Sequence, residues 1–190
     1  MKNYYSFIGG EVGQWKVTDQ YTITGAQLEP VRSVEVINSP AKDIAQQSTW
    51  VLQGFTSNVR YANRSEIVKL QAVQEGLNRN TSLCAALIPI KKNAEWWAMS
   101  QDERRSIFEE QSHHTEIGLG YLPEIARQLH HSRDLGEQFD FITWFEFAPE
   151  HTELFNKLLQ QLRSTKEWQF VEREIDIRLQ KKCLARFDQK

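Results

Sequence analysis

Hydrophobic periodicity is clearest in the last third of the chain. Phe139 to Phe147 is an apolar-rich run of strand length, Pro149 stands in the first turn of a helix that runs to Arg163, and residues 168–179 alternate. In that alternation Val171, Ile175, Ile177 and Leu179 fall on one face and Glu172, Glu174, Asp176 and Arg178 on the other. The pattern predicts an antiparallel strand with one wet face. Upstream, a strand over 49–58, a helix that Asn63 and Glu66 could cap and that runs to about Asn78, and a strand over 83–90 repeat the same sequence of elements. Two β-α-β units in tandem indicate an α+β fold of ferredoxin-like type. Residues 3–40 read as β-structure, with a turn at Gly9-Gly10 and with Trp15, Val17, Tyr21 and Ile23 on one parity of a half-buried strand. The expected organisation is a reduced N-terminal β-rich part over 1–45 and a larger domain over 46–190.

The two units leave residues 91–137 over as an insertion, and insertions of that length usually have a function. It carries Trp96-Trp97, the pairs His113-His114 and His130-His131, and Arg127. Ser100 and Glu103 form a capping box, and Ile107, Gln111 and His114 recur at helical spacing, so His114 extends the helix's inward face. Gly118 and Gly120 end that element. Pro123 opens a further short helix, which places Arg127 about one turn inside it.

Composition narrows the chemistry. The 190 residues are 40% hydrophobic, enough for a folded core. Twenty-three basic against 25 acidic residues give a net charge of −2, which supplies no footprint for nucleic acid and no polybasic patch for a membrane. The absence of a signal-like start and of any long apolar run reads as a cytoplasmic protein. The only cysteines, Cys84 and Cys183, form neither a C-x-x-C pair nor a covalent haem attachment site.

A lone histidine on an apolar face is more often a core residue than a ligand, and of the adjacent His113 and His114 at most one faces a shared cavity. His130 and His131, in a polar stretch, are expected to face solvent. No H-E-x-x-H or C-x-x-C spacing supplies the ligands of a zinc site, whereas haem needs one protein ligand because the porphyrin gives four. Glu167 completes a second capping box with Ser164, its structural reading; its functional reading is a carboxylate on a ligand histidine, which would make the imidazole more basic. Gln74 interrupts the apolar stripe of Ile67, Leu70 and Leu77 and needs a hydrogen-bond partner. Six tryptophans suit a protein that walls a flat aromatic cofactor. Lys91-Lys92 reads as a solvated pair or as a partner for a carboxylate at a cavity mouth.

Together these residues resemble the chlorite dismutase family, in its short-chain, dimeric branch. The resemblance rests on Trp50-Val51-Leu52-Gln53-Gly54-Phe55, Arg60-Tyr61, residues 86–92 leading to Trp96-Trp97, the His114 segment, Arg127, residues 139–147 and Glu167-Trp168. It implies a dimeric α+β barrel and a non-covalent haem b whose iron is held by His114, with Glu167 behind it and Arg127 as the mobile distal residue. Gln74 would hold Arg127 in one orientation. Tyr61, Lys92 and Trp96 would contact propionates, Trp97 would flank the proximal histidine, Ile88 would touch the cofactor, and Thr143 and Phe145 would line the distal side. The implied reaction converts chlorite, a small anion, to chloride and dioxygen through an oxoferryl/hypochlorite pair and O–O bond formation. Two rivals are coproheme decarboxylation, whose enzymes lack the distal arginine, and a non-enzymatic haem carrier or sensor.

Overall fold

The computed structural model describes residues 3–41, 48–56 and 76–182. Eight strands close into a barrel: β1 Tyr4–Gly10, β2 Trp15–Thr24, β3 Ser33–Ile37, β4 Trp50–Phe55, β5 Cys84–Lys92, β6 Ala126–His131, β7 Phe141–Phe147 and β8 Val171–Lys181. Around the barrel they stand β1-β3-β2-β8-β5-β7-β6-β4, every pairing is antiparallel, and β4 returns to β1. Closure leaves no edge strand among the described residues to pair with a stranger. In each half, β1–β4 and β5–β8, the spatial order is fourth, first, third, second.

That order corrects the expected pairing of elements. Strands β4 and β5, read from sequence as one β-α-β unit, are not neighbours and belong to opposite halves. The missing piece was β6, which lies inside the supposed insertion and pairs with β7 through six register positions. Strands before residue 45 share one continuous sheet with those after it: β1 pairs with β4, and β2 with β8. The helix expected over 63–78 lies mainly outside the described residues.

Four helices complete the described architecture: α1 Ala94–Ala98, α2 Gln101–Arg105, α3 His114–Leu119 and α4 Thr152–Arg163. Helix α4 follows a 3-10 turn that Pro149 opens, and it buries Phe155, Leu158, Leu159 and Leu162, a stripe at helical spacing. The barrel interior is filled by Phe7, Trp15, Val34, Leu52, Leu87, Ile142, Trp144, Ile175 and Ile177 among others. A second core, with Ala86, Ile88, Phe145 and Phe147, lies between the outer face of β5–β7 and α4. Alternate residues of β5 and β7 serve the two cores, which is why these strands read as continuous apolar runs.

Three local expectations change. Gly9-Gly10 is no turn but the end of β1, where the Trp50 indole lies across Gly9 and leaves no room for a Cβ. In β2, Trp15 is buried while Tyr21 and Ile23 are exposed. Register shifts against β8 occur between Val17 and Asp19 and between Thr22 and Thr24, and a bulged residue switches the face that following side chains occupy. The predicted wet face of β8 is dry at Glu174 and Asp176, 0% and 1% exposed, because α4 covers it and Arg163 binds both carboxylates at 2.7 and 3.0 Å.

Candidate functional site

Between the outer face of β5–β7 and the segment joining β5 to β6 lies a cavity of about 330 Å³, within the range of small-molecule sites. Its walls include Ile88, Lys92, Trp96, Phe108, His114, Arg127, Thr143, Phe145, Glu167 and Trp168.

The backbone that presents His114 is irregular. The Ser100–Glu103 capping box is present as expected at the start of α2, but the helix passes into a π-helical turn over Ser106–Gln111, and His113 is left-handed at φ 51°. His114 is therefore the first residue of a separate helix, α3, instead of the continuation of one face. One-turn π segments recur at functional sites because they re-aim side chains. Glu109 in that turn accepts the Thr115 N–H at 3.0 Å, and the Ser112 hydroxyl accepts the Glu167 N–H at 2.8 Å, tying the irregular turn to the 3-10 turn that follows α4.

The second capping box does not form. Glu167 turns inward, 5% exposed, with Oε2 2.7 Å from His114 Nδ1 and Oε1 accepting from Lys92 Nζ at 2.8 Å. Burial alone would raise its carboxyl, but the charges of Lys92 and His114 and their hydrogen bonds outweigh burial and hold it at about 2. At neutral pH Glu167 has no proton to give, so in the neutral imidazole Nδ1 carries the hydrogen and Nε2 the lone pair. Phe108 stacks on the His114 ring at 4.3 Å between centroids, and Trp168 lies on it at 6.3 Å and 19°.

Lys92 is thus corrected. It does not stand at a cavity mouth but is a buried cation, 4% exposed, that holds Glu167 and sits 4.5 Å over the Trp96 ring. Its neighbour Lys91 is the surface residue, paired with Glu172. Trp97 is corrected too: it stacks on Phe141, donates to Asp140 at 3.0 Å and lies outside the cavity wall, while Phe108 and Trp168 take the expected place beside His114.

Arg127 is carried by β6, paired with Phe145, and not by a helix; Pro123 follows a cis peptide bond in the preceding turn. Its guanidinium lies against Gly118 of α3, where a Cβ would fall 2.7 Å from Arg127 Cζ. Burial lowers its pKa and the Glu109 carboxylate works in the opposite direction, but a guanidinium stays charged. His130 and His131, expected in solvent, are 1% and 5% exposed because β6 is a barrel strand. His130 enters the interior between Tyr5 and Phe7, and burial pulls its pKa down to about 4; His131 lines the cavity. Ile88, Trp96, Thr143 and Phe145 line the cavity, and Tyr61 and Gln74 lie outside the described residues. Phe108 gave no signal in the sequence and Gly118 read only as a helix end, since each acquires its role through the π turn and the approach of β6.

Among the described residues no group of three or more His, Cys, Asp or Glu side chains could hold a metal ion. The chlorite dismutase family model matches residues 31–182. The chain belongs to the chlorite dismutase family. The chlorite dismutase of Ideonella dechloratans is 31% identical over 118 residues, a match that covers 61% of this chain and 39% of that protein. A crystal structure of dimeric chlorite dismutases from Nitrobacter winogradskyi is 48% identical and covers 94% of this chain and 99% of that one, with a TM-score of 0.88. The R173A mutant of the chlorite dismutase of Candidatus Nitrospira defluvii, 23% identical with a TM-score of 0.69 over 94% and 91% of the two chains, shares the fold.

Proposed function

We propose that this chain is a haem b enzyme that decomposes chlorite to chloride and dioxygen, acting as a homodimer of tandem ferredoxin-like barrels in the cytoplasm. The observation that carries the reading is the His114–Glu167–Lys92 chain, with Glu167 and Lys92 buried, on the wall of a cavity that also contains Arg127. Family membership and the likeness to dimeric chlorite dismutases support it. No helix of the described residues is long and apolar enough to cross a membrane.

The residues fit the cofactor. One imidazole has Nδ1 engaged and Nε2 left for a metal, and the walls are largely apolar and aromatic. His114 would hold the iron, with Ile88 and Trp96 against the macrocycle and Tyr61 at a propionate. Haem b, when bound, would supply the ferric iron chemistry that converts chlorite.

The protein's own contribution is electrostatic. Glu167 keeps the His114 proton on Nδ1 and raises the basicity of Nε2, while Lys92 balances the buried carboxylate. Arg127 supplies a fixed positive charge that draws the anion in and retains a negatively charged leaving fragment without any proton transfer. Gln74 would set the orientation of Arg127, and Thr143 and Phe145 wall the anion's side and exclude water. The reading assigns haem-binding chemistry to residues 46–190, with 1–45 as scaffold.

An oxygen electrode tests it. Haem-reconstituted protein should release dioxygen from chlorite, and Arg127→Ala should keep its haem but lose about 10²–10³-fold in turnover while releasing trappable hypochlorite. Undiminished oxygen release with no hypochlorite would refute the role of Arg127. Vinyl formation from coproheme and peroxide, with little oxygen from chlorite, would transfer the chain to the decarboxylase reading.

A further inference from the structure

All six tryptophans lie within the described residues, and three of them donate their indole N–H to a carboxylate. Trp144 donates to Glu146 inside the barrel, Trp97 donates to Asp140 outside the cavity wall, and Trp168 donates to Glu174 at 2.8 Å. Of the three, only Trp168 lines the cavity. Its ring lies nearly parallel to that of His114, and it follows Glu167 directly in the chain.

The carboxylate is a built one. Glu174 is 0% exposed, and Arg163 binds its Oε1 through Nε and Nη2 at 2.9 and 2.7 Å, leaving Oε2 to the indole. Cations penalise loss of an electron from a nearby ring. Lys92 lies 4.5 Å from the Trp96 ring and 5.5 Å from the Trp168 ring, and the Arg133 guanidinium lies 3.9 Å from Trp97. At Trp168 a proton acceptor on the indole nitrogen offsets that penalty, because the positive charge created by electron loss can leave as a proton.

We infer that Trp168 is a redox-active residue, a one-electron donor to the cofactor pocket whose proton acceptor is Glu174. The inference rests on the haem reading. The oxidant is the haem after it has been oxidised by a peroxide, a peracid or a chlorine oxyanion. One electron passes from the Trp168 indole to the oxidised haem, which is reduced by one equivalent. The N–H bond breaks, its proton goes to Glu174 Oε2, and a neutral indolyl radical remains. Such a donor removes an oxidising equivalent that has lost its reaction partner, at the cost of exposing the tryptophan to damage.

Freeze-quench electron paramagnetic resonance on haem-reconstituted protein mixed with a peracid tests this. The wild type should show a tryptophanyl radical, Trp168→Phe should lose it, and Glu174→Gln should slow its appearance about a hundredfold, as removal of a general base does. The same tryptophanyl signal at unchanged yield in Trp168→Phe, or no tryptophanyl radical in the wild type, would overturn the inference. Should Trp168→Phe fail to fold, a nitroso spin trap added to the wild type decides: the adduct should map to the peptide containing Trp168, and an adduct confined to other residues would refute the assignment. Failure of the haem reading itself is seen separately, as the absence of a Soret band before oxidant is added, and the inference falls with it.

Discussion

The two halves of the barrel share one strand order and differ in what joins their first strand to their second. Between β1 and β2 the connection is residues 11–14; between β5 and β6 it is residues 93–125, which carry Trp96, Phe108, His114 and Gly118. The shorter connection is a tight link between two strands that β3 separates in the sheet. The longer one folds as short helices and a π turn against the sheet and encloses the cavity. The sheet therefore supplies a stable platform in both halves, and the chemistry comes from one elaborated connection together with residues that β5, β6 and the turn before β8 aim at it.

Substitutions in the two halves should separate stability from cofactor chemistry. The largest stability effect is expected at Phe7, fully buried in the barrel interior: Phe7→Ala should cost about 3–5 kcal/mol by denaturant titration, with haem affinity unchanged in the protein that remains folded. A parallel loss of haem affinity would show that the halves are not separable in this way.

Glu167→Gln should act on both properties. It leaves the Lys92 ammonium buried without its counter-charge, a cost of about 3 kcal/mol, and it raises the ferric/ferrous potential by weakening donation from His114. An unchanged potential in spectroelectrochemical titration would count against the pairing. The wild-type carboxyl gives a pH signature as well. Its folded pKa, about 2, lies below the ordinary carboxylate value, so its stabilisation is complete above about pH 4.5 and is lost as pH falls toward 2.

His130 acts on stability alone, in a different window. Its folded value of about 4 lies below the ordinary 6.5, so the folded state binds fewer protons than the unfolded chain between those values. Stability should be fully present above pH 6.5 and fall by up to about 3 kcal/mol as pH drops toward 4. His130→Phe should flatten that slope, and a slope that survives the substitution would place its origin elsewhere.

Legibility from sequence followed the same division. Helix α4 and strands β5 and β7 were readable because Phe155, Leu158, Leu159 and Leu162 keep a helical period and the two strands are apolar on both faces. Strand β6 was not, since Arg127, Gln128, His130 and His131 are polar and acquire burial only from the barrel and the cavity. The bulges in β2 reversed a parity that looked regular, and Arg163 dried a face of β8 that looked wet. At the site, the pairing of His114 with Glu167 was anticipated through the family resemblance. Lys92 was misplaced because two adjacent lysines look alike in sequence, while β-strand alternation sends one to solvent and the other beneath Glu167.

Titrating haem into the apoprotein and its His114→Ala and His113→Ala variants, while following the Soret band, shows whether the β5–β6 connection holds the cofactor through His114. The wild type and His113→Ala should each bind one haem per chain with the same ferric spectrum, and His114→Ala should lose that spectrum and tight binding. Unchanged affinity and spectrum in His114→Ala would contradict that role of His114.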